Sequence, residues 1–170
     1  MKRLIVFAAI AASAQPLKFP ASFEALEKKA TESVDISLDK SMLGTASSFI
    51  ANEVDVKKML NNAEAVYVRS FQFAKPGEYQ MSDVIALRNQ LDMTKWKRVM
   101  SVKEDDEMVE IYMMPSGAGP GGFVMFAAEP EELTIVQIVG SVNLNDLSKL
   151  QGLPGVKKTK PLKKLEKREE

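Results

Sequence analysis

Gly122-Phe123-Val124-Met125-Phe126-Ala127-Ala128 and Leu133-Thr134-Ile135-Val136-Gln137-Ile138-Val139 are apolar at almost every position and stand four residues apart. Continuous apolar runs of this length, rich in valine, isoleucine and phenylalanine, predict strands buried on both faces. Two further strand patterns precede them, Lys97 to Lys103 and Met108 to Met114, separated by acidic or glycine-rich turns. A parallel crossover needs a dozen or more residues, so these closely spaced strands form an antiparallel meander. Something must cover each side of it. We expect one face, at Val124, Phe126, Val136 and Ile138, to be an interaction surface, with a second copy of the chain as one partner it suits.

Upstream the pattern alternates between the two periods. Val34, Ile36 and Leu38 alternate with Asp35, Ser37 and Asp39 in a half-buried strand, and Asp39 or Ser41 is placed to cap a helix carrying Met42, Leu43, Ala46, Phe49 and Ile50. A turn or two over 56–60 follows. Ala65 to Phe73 is a second strand, closed by Lys75-Pro76-Gly77. Met81, Val84, Ile85 and Leu91 then share the apolar face of another helix, and Trp96 marks the return to extended chain. Phe23, Leu26 and Ala30 predict a short helix at the start of the domain. Leu144, Leu147 and Leu150 predict one at its end, stopped by Gly152 and Pro154. The fold class is therefore α+β, with a mixed, largely antiparallel sheet (β-α-β-α, the four-strand meander and a short C-terminal helix) in two layers.

Met1-Lys2-Arg3, the apolar run Leu4 to Ala12 and the small residues Ala12-Ser13-Ala14 have the three parts of an export leader. The run is about half the roughly 20 residues that a membrane-spanning helix needs, so the mature chain is expected to keep no transmembrane anchor. Cleavage falls between Ala14 and Gln15, giving a signal peptide over 1–14, a single domain over 19–153, and a charged, disordered tail over 156–170. The 170 residues are formally neutral, yet the tail holds seven basic and three acidic groups, and residues 15–155 hold 14 basic against 20 acidic. The tail's positive charge is interrupted by Glu166, Glu169 and Glu170 and includes no aromatic residue to stack on bases. It reads as a solubilising end, and no nucleic-acid partner is expected.

With the leader, Val66-Tyr67-Val68-Arg69-Ser70-Phe71 and the ending Ile138-Val139-Gly140-Ser141-Val142-Asn143-Leu144-Asn145-Asp146-Leu147, this order resembles the bacterial exported proteins grouped as domain-of-unknown-function family 4252. The resemblance covers Phe23 to Gly152 and brings no functional residue with it. Many members look like lipoproteins, and a lipid tether requires a cysteine that this chain lacks.

The composition closes several chemistries. Without histidine or cysteine there is no Ser-His-Asp triad, no Cys-His pair, no histidine-ligated metal site and no disulfide. Glu104-Asp105-Asp106-Glu107 splays its carboxylates into water at a hairpin tip, whereas a glycoside hydrolase holds two carboxyls about 5 to 10 Å apart across a cleft. Ser37-Leu38-Asp39-Lys40 matches the S-x-x-K pattern of penicillin-binding enzymes without its companion motifs. Gly117 to Gly122 satisfies G-x-G-x-x-G, but strands flank it on both sides and Pro120 removes an amide donor, so it is a hairpin loop. The ten methionines fit core filling or, as the second reading, an adaptable binding surface. No catalytic residue, metal or cofactor is assigned. The expected function is that of an exported, periplasmic or secreted, non-catalytic binding or scaffolding domain at the bacterial cell envelope, with a protein or an envelope component as partner. The competing expectation is a hydrolase of envelope polymers using carboxylates or a Ser-Lys pair.

Overall fold

The computed structural model describes residues 14–50, 62–116 and 121–142, with the side chains of 46–50 excepted. The leader up to Ser13 with Ala12, the turns over 56–60, loop residues 117–120, the expected C-terminal helix and the tail lie outside these described residues. In chain order the elements are α1 (Ser22–Lys29), β1 (Glu32–Asp39), α2 (Lys40–Ile50), β2 (Ala63–Gln72), α3 (Met81–Arg88), β3 (Lys97–Glu104), β4 (Glu107–Met114), β5 (Gly122–Glu129) and β6 (Glu132–Gly140).

The strands form one open six-stranded sheet in the order β1-β2-β6-β5-β4-β3. Every pairing is antiparallel, so the expected mixed sheet is corrected. The chain between β1 and β2 is long enough for either direction. In the sheet β2 returns against β1, with registers running from Glu32 opposite Gln72 to Asp39 opposite Ala65. The two long apolar strands occupy the centre, where both sides need cover.

Period two sorts their side chains into two cores. Val66, Val68, Val109, Ile111, Phe123, Met125, Val136 and Ile138 share one face with Leu43 of α2. Phe71, Tyr112, Val124, Phe126, Leu133 and Ile135 share the other with Phe23 and Leu26 of α1 and Val84 and Leu87 of α3. Described helices thus lie on both sides of the sheet, which corrects the two-layer expectation.

Asp39 is the cap of α2: its Oδ1 accepts from the backbone N–H of Ser41 and of Met42 and from the Ser41 hydroxyl. These donors, the Ser41 hydroxyl foremost, hold its pKa below the usual carboxylate range. Asp39→Ala is expected to lower stability through the lost cap, measured by urea unfolding at neutral pH. The lowered pKa makes this contribution present above the ordinary carboxylate pKa and lost as pH falls through the folded one, so the gap between parent and variant should close in acid.

Candidate functional site: a cleft beside a buried glutamate

Glu110 is a carboxylate in the middle of β4, 4 % exposed. Strand alternation turns it toward the α1 and α3 side, on the same face as Met108 and Tyr112, opposite Ser101 of β3 and Phe126 of β5. Burying an unpaired carboxylate is prohibitively costly, and three donors meet this one. Arg88, the last residue of α3, brings Nη1 to 3.2 Å from Oε2, and Arg98 of edge strand β3 brings Nη1 to 3.2 Å from Oε1. The Tyr112 hydroxyl donates to Oε2 at 3.0 Å. Burial first, then the Glu110 carboxylate, raises the Tyr112 pKa, which keeps that hydroxyl a donor.

Above this cluster opens a cleft of about 440 Å³ between α3 and the β3–β4 hairpin. Its apolar wall is Met81 and Ile85, 37 % and 38 % exposed. Of the predicted helix face, Val84 and Leu91 enter the core, joined by Leu87, while Met81 and Ile85, a quarter-turn away, line the cleft instead. Arg88 and Glu110 close one end of it, and the tip residues Asp105 and Asp106 the other.

Asp105 and Asp106 make the two-residue turn between paired Glu104 and Glu107. Asp105 sits at φ 46°, a left-handed backbone that glycine adopts without strain. Replacing Glu104, Asp105, Asp106 and Glu107 together by Ser or Asn is expected to leave the fold intact and stability within about 0.5 kcal/mol. Asp105→Gly alone should raise it by about 0.5 kcal/mol. Thermal unfolding of both variants checks this, and a loss of several kcal/mol would give the tip a structural role.

The same face carries a second polar device. Gln137, 2 % exposed in the apolar run of β6, accepts from the Leu17 N–H at 2.8 Å and donates to the Gln15 carbonyl at 2.7 Å. Gln90 does the same for the N–H and carbonyl of Lys18. The extended segment leading into α1 is therefore pinned by two glutamine side chains, with Ala14 and Leu17 buried beneath it.

The residues singled out from sequence are dispersed. Val124 and Phe126 lie on the α1 and α3 face and Val136 and Ile138 on the α2 face, because Phe123 pairs with Ile138 and Met125 with Val136. All four are fully buried, so they do not make up one surface; the correction follows from the register, which offsets the two strands by one residue. Ala14 and Gln15 belong to the pinned segment, and Ala12 lies outside the described residues. Lys40 pairs with Glu64 at 3.5 Å, and Ser37 stands exposed on β1. Among the described residues, no group of three or more acidic side chains is arranged to hold a metal ion. Sequence reasoning passed over Glu110 and Gln137, although each was visible as a lone polar residue inside an apolar strand.

The arrangement defines an α+β domain with an open antiparallel sheet and a cleft at one edge. Residues 23–150 match the family described as Domain of unknown function (DUF4252), and the chain belongs to it. No curated protein and no solved structure matches the chain. Among the described residues, no helix is long and apolar enough to cross a membrane.

Proposed function

We propose that the chain is an exported protein whose leader ends at Ala14, and that its domain works at the bacterial cell envelope, in the periplasm or outside the cell, as a non-catalytic binding module using the cleft between α3 and the β3–β4 hairpin. The basic start and apolar run over 1–14 support export, and the observation that carries the non-catalytic reading of the cleft is the state of Glu110. It is the buried carboxylate at the cleft, and both its oxygens already accept from Arg88, Arg98 and Tyr112. A general acid or base needs a proton site within reach of the substrate. A carboxylate that already accepts from three donors instead holds its arginines in place. The hydrolase alternative finds no support in Lys40, whose ammonium is paired with Glu64 rather than directed to Ser37.

Thermal-shift screening against envelope fragments (short peptides, oligosaccharides and lipid headgroups), with product analysis run in parallel, tests this. We expect stabilisation by one class, lost on Arg88→Gln, without turnover. Release of product from any fragment would overturn the non-catalytic reading, and stabilisation indifferent to Arg88 would overturn the cleft.

A further inference from the structure

The cleft is charged oppositely at its two ends. At one end Arg88 commits Nη1 to Glu110, and a guanidinium carries five N–H donors. Arg98, which stands outside the cleft lining, shares the same carboxylate from the edge strand, so Glu110 is also balanced from beside the cleft and Arg88 leaves this end positive. At the other end Asp105, Asp106 and Glu107 outnumber the neighbouring Lys103. Between the ends run the side chains of Met81 and Ile85, large hydrophobic groups left exposed, with Met108 beside them.

The separation of the ends can be read from the strand. Glu107 and Glu110 are three residues apart on β4, about 10 Å at the strand rise, and the aspartates lie just beyond. An extended peptide of three residues spans about the same length. A simple anion would satisfy the arginine but meet the acidic tip, and a simple cation the reverse. A ligand with both charges and an apolar group between them matches every wall.

We infer that the cleft binds a short peptide of two or three residues with free termini. Its C-terminal carboxylate lies on Arg88, its ammonium faces Asp105 and Asp106, and an apolar side chain rests against Met81 and Ile85. A bidentate guanidinium–carboxylate pair gives direction as well as energy, and the buried Glu110 fixes the Arg88 fork as a positioning residue. This assignment rests on the cleft being the binding site.

Calorimetric titration of the purified protein with the tripeptide Ala-Leu-Ala, its C-terminal amide, its N-acetyl form and inorganic phosphate tests it. The free tripeptide should bind, and the amide at least tenfold more weakly. Arg88→Gln should weaken the free tripeptide tenfold or more with the circular dichroism unchanged. Where that variant fails to fold, Arg88→Lys, which keeps the charge and loses the fork, should show the same direction. Asp105→Asn with Asp106→Asn should weaken the free tripeptide severalfold and leave the N-acetyl form unaffected. Equal binding of tripeptide and amide, or no binding at millimolar peptide, overturns the assignment. Arg88-dependent binding of phosphate without peptide overturns it too, while leaving the cleft a binding site.

Discussion

Phe126→Ala is expected to lower the unfolding free energy by about 4 kcal/mol, read from equilibrium urea denaturation. Phe126 is fully buried at the centre of β5, between Glu110 of β4 and Ile135 of β6. Its ring meets Tyr112 edge-on, with centroids 6.2 Å apart, a geometry that adds to the area it buries. Truncation removes the ring and leaves a void. β5 is hydrogen-bonded to neighbours on both sides, so its backbone cannot sink to close that void, and the cost falls toward the upper part of the range. Phe126→Leu, which keeps most of the volume, should lose only about 1 to 1.5 kcal/mol. Charged substitutions at Val124, Phe126, Val136 or Ile138 should unfold the chain rather than leave a folded monomer, since all four are enclosed. A Phe126→Ala loss under about 1 kcal/mol would mean that the face beneath α3 is not a closed core.

The strands of the meander were legible because their signal is local: run length, branched and aromatic side chains, and short polar turns. Which face each residue takes was not. Val124, Phe126, Val136 and Ile138 look equivalent in sequence, and only the pairing of Phe123 with Ile138 sends the two pairs to opposite sides. Register is a relation between strands, and a one-residue offset inverts every side chain. The direction of β2 was hidden for a similar reason, since the chain leading to it permits either sense. Met81 and Ile85 share that spacing with Val84, yet the helix is turned so that Val84 is enclosed with Leu87 while Met81 and Ile85 stay partly exposed. Hydrophobic periodicity gives the stripe and not its centre.

The candidate site was less legible than the fold. Glu110 draws its two arginines from 12 and 22 residues away in the chain, and no local spacing announces that meeting. Gln137 makes sense only once the segment at Gln15 and Leu17, more than a hundred residues earlier, crosses its strand. What the sequence did display was the anomaly itself, a charged or amide side chain inside an apolar strand. Because a buried polar group must be satisfied, each anomaly implied a distant partner without saying which.

Gly140→Ala is expected to cost about 3 kcal/mol, a large effect for the addition of one methyl group. Gly140 ends β6 at φ 134°, a conformation that side-chain-bearing residues rarely adopt. A Cβ there would stand 2.5 Å from the Asn62 carbonyl oxygen and 2.8 Å from the Ala63 Cα. Both obstacles are backbone, at the place where the β2–β6 register shifts between Ala63 and Ala65, so neither can swing aside as a side chain would. The Gly140 N–H also bonds the Gly121 carbonyl at 2.9 Å, which ties the end of β6 to the entry of β5. Relief of the clash would pull on that bond and on the first pairs of two central strands. Gly44 in α2 is the matched control, since a Cβ there meets nothing within 4 Å. Gly44→Ala should therefore stabilise the helix by about 0.5 to 1 kcal/mol. Opposite signs for the two substitutions, measured in the same urea series, would locate the requirement in backbone geometry. A neutral Gly140→Ala would show that the end of β6 has room to relax, and that neither the positive φ nor the nearby β2 backbone demands a glycine at that position.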